Sequence, residues 1–346
     1  MDQEKKPKKS PNKFVQFFKR YPVIISLVIL VPALLYSIRY MFTADNSYYN
    51  FSYDGERIKN DHKNFELTGI KKVANVLQTS TFFSYQGGAC YRDYYAICTD
   101  CFESILIYNT SGEKLKVEHN ITTGMDNTQW HCNQIFFGVD FYSLSDKFPL
   151  LYVSMEHPDV HSLMAFRIFQ KAGTYSVELV QQISLDFSAE KDKIYYPNAY
   201  FDYDDEYVYY GGYTENSYMK SATNKLKFYK FRIPDYRLRF DYFETKDSLE
   251  TFELPSETAT QGGFISDGHL YQTFSFNSKT DINRAPKMKV VDLESKEIIH
   301  DYQNLGEQFG VYEEFEHVAI ARNGKMYSLG NPYNIYEFEY GYDKSK

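Results

Sequence analysis

The chain has 346 residues, a formal net charge of −8, 34 Tyr, 28 Phe and a single Trp. Tyr and Phe favour pleated, half-buried surfaces, so the composition leans to β structure, and the length allows one large all-β domain or two ordinary ones. Residues 1–20 carry seven Lys/Arg against Asp2 and Glu4, a net of +5 that leaves −13 for the remainder; an acidic body with no basic stripe interleaved with aromatics does not look like a nucleic-acid binder, and no nucleic-acid partner is expected.

The basic residues 1–20 read as a cytoplasmic tail. After them, Tyr21 to Ile38 ("YPVIISLVILVPALLYSI") holds 18 residues without a charge. As a helix this run is about 27 Å long, close to the ~30 Å hydrocarbon thickness of a bilayer. Pro32 is tolerated in such a helix, and Tyr21, Tyr36 and Tyr40 suit the interface. Lys/Arg before the span and only Arg39 just after it place the N-terminus in the cytoplasm. The competing readings are a cleaved signal and a core helix. The run is longer than the usual signal core and no small-x-small cleavage site follows it. Residues 21–42 are therefore predicted to be a transmembrane signal anchor, single-pass, with 43–63 a stalk and 64–346 a periplasmic or extracellular domain.

That domain repeats. A Tyr sits in an apolar strand at Tyr95 ("YYAI"), Tyr152 ("LYVS"), Tyr209 ("VYYG"), Tyr271 ("LYQT") and Tyr327 ("MYSL"), at spacings of 57, 57, 62 and 56 residues. A turn signal precedes each one: "YRD", "SDKFP", "DDE", "SDG", "RNG". Asp-Gly and Asn-Gly accept the positive φ of tight hairpins. A third apolar run follows ("SILIYN", "LMAFRIF", "LKFYKFRI", "KMKVVDL", "NIYEFEY"), then a fourth ("KLKVEHNI", "YSVELVQQI", "ETFELP", "KEIIHDY"). The fifth repeat shows no fourth run, while "NFELTGI", Asn64 to Ile70, belongs to no repeat. Four-stranded units around a central channel describe a β-propeller, in which strands from both chain ends often share the closing blade. The expected fold is all-β, a five-bladed β-propeller, with six blades as the alternative and a pair of β-sandwiches as the main rival architecture.

Counting back from each Tyr to the first strand of its repeat gives Gln86, His131 with Asn133, Asn198, Gln261 and His317. Innermost strands line a propeller channel, so these residues are expected to ring one mouth as a ligand-binding site; the competing role is to satisfy strand ends and channel waters. Gly87, Gly88, Gly262 and Gly263, in the two "QGG" phrases, are expected to mark close packing near the axis. A disulfide among Cys90, Cys98, Cys101 and Cys132 is permitted outside the cytoplasm, against free buried thiols or a metal, and spacing does not choose a pairing. The acidic run at Asp202, Asp204, Asp205 and Glu206 falls on a hairpin turn and lacks the calcium-loop pattern. Neither a cofactor nor a metal ion is expected, and no residue is assigned a catalytic role.

"HCNQIFFG" with "SDKFPLLYVS", His131 to Ser154, together with the "QGG" strand starts, resembles exported β-propeller proteins of Bacteroidota, of the TolB-like or NHL-like type, which generally lack an assigned activity. The resemblance implies a propeller and an envelope location, admits six blades and implies no catalytic residues. Two functions follow. One is a membrane-anchored module binding a glycan, small-molecule or protein ligand. The alternative is an anchored hydrolase or transferase acting on glycans or esters, with His131 or His317 as acid/base.

Overall fold

The computed structural model describes residues 61–342 and Val31, apart from 77–83, 126–129, 158–159, 188–192, 203–206, 239, 275, 277 and 332. The chain divides into two compact units, Met1–Ser47 and Tyr48–Lys346, and the strands belong to the second. Among the described residues no helix is long and apolar enough to cross a membrane. The predicted span 21–42 lies, but for Val31, outside the described residues.

Strand β1 (Phe65–Asn75) comes first and finds its partner last. Four strands then form one antiparallel sheet: β2 (Tyr85–Tyr91), β3 (Tyr94–Thr99), β4 (Ser104–Asn109) and β5 (Lys116–Thr122). The next meander is β6 (His131–Phe137), β7 (Leu151–His157), β8 (Val160–Lys171) and β9 (Thr174–Asp186). Two more follow, β10 (Tyr195–Asp202), β11 (Tyr207–Tyr213) and β12 (Lys225–Arg232) with β14 (Glu250–Pro255), and β15 (Thr260–Ser266), β16 (His269–Phe274), β17 (Lys287–Asp292) and β18 (Ile298–Tyr302). A single parallel pair, Asp202 with Ile265, joins these two into one eight-stranded sheet. The last sheet comprises β19 (Glu314–Ile320), β20 (Met326–Asn331), β21 (Asn334–Tyr342) and β1, which runs antiparallel to β21. The unassigned run at 64–70 is thus the strand that completes the last sheet. The sequence pattern did not anticipate β13 (Phe240–Glu244), which adds in parallel to the outer edge of β9.

Every run of the repeat falls on its strand. Tyr95, Tyr152, Tyr209, Tyr271 and Tyr327 lie on β3, β7, β11, β16 and β20, the second strand of each meander, and all five are buried. The hairpin at Asp267–Gly268 takes positive φ at both residues (47° and 72°), as its "DG" sequence favours. Aromatic rings weld neighbouring sheets: Tyr95 stacks on Tyr327 at 5.4 Å between centroids and Phe136 on Phe201 at 4.9 Å.

The "QGG" phrases are explained by the side chains that pack against them. A Cβ on Gly87 would lie 2.5 Å from the Gln134 Cα, and one on Gly88 would lie 2.0 Å from His317 Nε2. A Cβ on Gly262 would lie 2.5 Å from Gln134 Nε2. The glycines therefore make room for Gln134 and His317, both fully buried. The Gln134 amide bridges β2 and β15: its Oε1 accepts from Gly88 N (3.0 Å) and its Nε2 donates to Gly263 O (3.1 Å). Gln134→Leu keeps the size and strands both backbone groups without water. It should cost about 2 kcal/mol, read as a lower urea midpoint with an unchanged slope.

Candidate functional site

The first strand of each meander carries a register break near one end: Tyr85/Gly88 in β2, Cys132/Gln134 in β6, Tyr195/Asn198 in β10, Thr260/Gly263 in β15 and Phe315/Val318 in β19. In each case the strand holds one residue more than its partner. Such a bulge re-aims side chains that a regular pleat would point at a neighbouring sheet. The re-aimed residues include Gln86, Asn133, Tyr196, Pro197 and Gln261, and these converge.

They line one pocket of about 360 Å³ with His131, Glu156, Asn198, Tyr213, Tyr218, Ala259, Thr260 and Phe276. Five of the six predicted residues are thereby brought together: Gln86, His131, Asn133, Asn198 and Gln261. His317 is not among the lining residues. In the bulge register Glu316, not His317, stands level with Gln86 and Gln261, and His317 stands level with Gly87 and Gly262. His317 is enclosed, bonded through Nε2 to the Tyr95 hydroxyl at 2.6 Å. Burial lowers its pKa to about 3, so it is neutral near pH 7.

The polar walls are preorganised. Asn133 Nδ2 donates to Pro197 O (3.2 Å) and to Glu156 Oε2 (3.3 Å). Gln261 Nε2 donates to Glu314 Oε1 (2.8 Å), and Tyr200 OH donates to Gln261 O (3.0 Å). Tyr213 OH donates to Glu257 O (2.7 Å) and accepts from Thr260 N (2.8 Å), which fixes the wall before β15. Burial pushes the Tyr213 phenol up to about 12, so it stays a donor. Next to the Gln86 and Gln261 positions, Gln134 and His317 fill the space that Gly87, Gly88 and Gly262 leave.

Among the described lining residues His131 is the one histidine; its side chain is 44 % exposed and its Nδ1 pairs with Asp100 Oδ1. Burial works to lower its pKa, but the Asp100 hydrogen bond and charge, with Glu156, raise it above the ordinary value. A raised histidine pKa stabilises the fold fully below the unfolded value near 6.5 and loses that contribution as pH rises through the folded value. The His131 ring should therefore titrate above 6.5 by NMR, and Asp100→Asn should bring the midpoint down.

The rim is aromatic. Tyr196 and Tyr218 are 44 % and 45 % exposed. Their rings meet edge to face at 5.6 Å, and Tyr218 meets Phe276 likewise at 5.5 Å. Tyr196 (φ 53°) and Ala259 (φ 52°) both hold left-handed backbone at this pocket. Non-glycine residues in that region are strained, and such strain gathers at binding sites. Sequence counting missed this rim and Gln134. "YYPN" at the start of β10 was the available signal for Tyr196, since a bulky residue before Pro in a strand marks an irregularity.

All four cysteines are buried: Cys90 belongs to the cluster that holds Tyr95, Ile97 and Tyr327, while the Cys98 and Cys132 sulfurs lie 2.8 Å apart. Among the described residues no group of three or more His, Cys, Asp or Glu is placed to hold a metal ion. Asp202 is buried in β10, and Asp204, Asp205 and Glu206 lie outside the described residues.

No family model matches the chain, and no curated protein sequence matches it. The resemblance to exported Bacteroidota propellers therefore has no counterpart at the sequence level. The chain is similar in structure to a PQQ-bound aldose sugar dehydrogenase from Streptomyces coelicolor (8% identity, 81% of this chain and 100% of that one, TM-score 0.46). It is similar to the WD40 domain of Toxoplasma gondii coronin (10% identity, 82% and 88%, TM-score 0.42). A third similar structure is the Myxococcus xanthus glutaminyl cyclase (9% identity, 81% and 97%, TM-score 0.43). These are β-propeller proteins, both enzymes and interaction domains. They leave the function to this chain's own residues.

Proposed function

We propose that the chain is a single-pass, N-in membrane protein that presents a five-bladed β-propeller outside the cytoplasm and captures a hydroxyl-rich small ligand, of the saccharide class, at the mouth of its channel. Five meanders, each with a bulged first strand, support the blade number; the charge-free run 21–38 behind a basic tail supports the anchor. The observation that carries the function is the pocket itself. Amide and carboxylate groups of Gln86, Asn133, Glu156 and Gln261 line a concave site whose rim is made of exposed aromatic rings. Hydroxyl groups pair with such amides and carboxylates, and the apolar face of a sugar ring packs on an aromatic one. Native mass spectrometry of the full chain taken from its host envelope tests this reading. The expected result is a stoichiometric polar species released on denaturation. A species that stays bound when Gln86, His131 and Gln261 are all replaced by alanine removes the site assignment.

The second reading, an anchored hydrolase or transferase, is favoured by one feature. His131 is half-exposed in the pocket with Asp100 behind it, the arrangement of an oriented acid/base. Turnover of a glycan or ester substrate that His131→Ala abolishes would establish it.

A further inference from the structure

We infer that Cys98 and Cys132 are a disulfide pair that clamps the first meander to the second beside the candidate pocket. The two residues are 34 positions apart and lie on different sheets, Cys98 on β3 and Cys132 on β6. Their sulfurs approach to 2.8 Å, with Cys98 Sγ also 3.6 Å from Gly87 O. A covalent S–S bond is ~2.05 Å long, so closure needs only a small movement.

The same geometry sets Cys90 aside, and of the two cysteines near Cys132 it is Cys98 whose sulfur touches it. Cys90 packs in a separate cluster with Tyr95, Ile97 and Tyr327, away from the cluster that contains both Cys98 and Cys132. Cys101 lies in the turn after β3, and its neighbour Asp100 is committed twice to β6: its carbonyl accepts from Cys132 N, and its carboxylate pairs with His131. The cross-link would thus join the two strands at the level where His131 meets Asp100 and fix that pair against the pocket wall.

The step balances with an exchangeable disulfide as oxidant. The thiolate of one cysteine attacks that disulfide and expels one thiolate; the second cysteine attacks the mixed disulfide, forms the Cys98–Cys132 bond and expels the other. Two thiols of the chain lose two protons and two electrons, and one oxidant disulfide becomes two thiols. Both sulfurs are fully buried in the fold, so exchange precedes closure of the sheets, and the finished bond is shielded from reductants. The pairing rests on the packing and not on the location proposed above.

The test uses the full chain unfolded in guanidinium, refolded by dilution into a mixture of glutathione and glutathione disulfide, then alkylated under denaturing conditions. Two of the four thiols should escape alkylation, with a 98–132 cross-link in the peptide map. Cys90→Ser and Cys101→Ser should keep the cross-link, and Cys98→Ser should lose it. Four alkylated thiols in the refolded chain, or a cross-link that survives Cys98→Ser, would overturn the pairing.

Discussion

Replacing Glu257 by glutamine should destabilise the fold by about 3–5 kcal/mol, the cost of leaving buried charges without their partner. Glu257 is fully buried and receives three ammonium groups: Lys220 at 2.6 Å and Lys289 at 2.7 Å on Oε1, Lys287 at 2.9 Å on Oε2. Lys220 is half-exposed and can turn to water. Lys287 and Lys289 are buried on β17, and among the described residues the other carboxylate paired with them is Asp301, 3.7 Å from Lys289. Burial pushes the Glu257 carboxyl up, but the hydrogen bonds and charges of the lysines outweigh it and hold the group at about 2. A depressed carboxyl pKa contributes stability that is present above the unfolded value near 4.3 and lost as pH falls towards 2. Glu257→Gln should therefore lower the guanidinium midpoint at pH 7 and flatten the acid limb of the stability curve between those values. Changing Glu257, Lys287 and Lys289 together to apolar residues should recover much of the loss, because the penalty lies in the unpaired charge. Equal midpoints for Glu257→Gln and the native chain would show the cluster to be solvated.

Phe65→Ala should cost about 3–5 kcal/mol, the range for emptying a buried Phe site. Phe65 opens β1 and is wedged between Tyr271 (5.3 Å, edge to face) and Tyr340 (5.4 Å, stacked). Three bonds tie the start of β1 to the eight-stranded sheet. Tyr271 OH meets His62 Nδ1 at 2.8 Å, His300 Nε2 donates to His62 O at 2.7 Å, and Leu67 N donates to Tyr302 OH at 2.9 Å. β1 completes the last sheet beside β21, so the damage should spread beyond the cavity. Amides of β21 should exchange hydrogen faster, and the denaturation midpoint should drop well beyond that of Lys71→Ala, an exposed change on the same strand that should stay within about 0.5 kcal/mol. Unchanged protection of β21 in Phe65→Ala would mean that β1 is not what closes the last sheet.

Much of this was legible because propeller repeats write local signals. Apolar runs, hairpin turns and the buried Tyr of β3, β7, β11, β16 and β20 recur at near-constant spacing, and "NFELTGI" stood out because no repeat claimed it. The pocket was legible in part, since Gln86, Asn133 and Gln261 sit where the first strands begin. What failed to show is set by bulges and by distance. One extra residue exchanges the two faces of a strand; that is why His317 stands level with Gly87 and Gly262 while Glu316, itself buried, takes the level of Gln86 and Gln261. Gln134 reaches from β6 to β2 and β15, and Glu257 gathers lysines from β17 and from the 217–224 loop. Neither partnership leaves a periodic trace in the sequence. The strand β13 joins β9 in parallel across more than fifty residues and has none either.

The central claim is that the channel-mouth pocket captures a saccharide-class ligand. Isothermal titration of the full chain with a panel of neutral and acidic oligosaccharides, run beside the Gln86→Ala, His131→Ala, Gln261→Ala triple variant, addresses it directly. The account predicts saturable one-to-one binding of at least one class and a loss of ten-fold or more in the triple variant, about 1.4 kcal/mol or above. No binding across the panel, or equal affinity for the native chain and the triple variant, would contradict it.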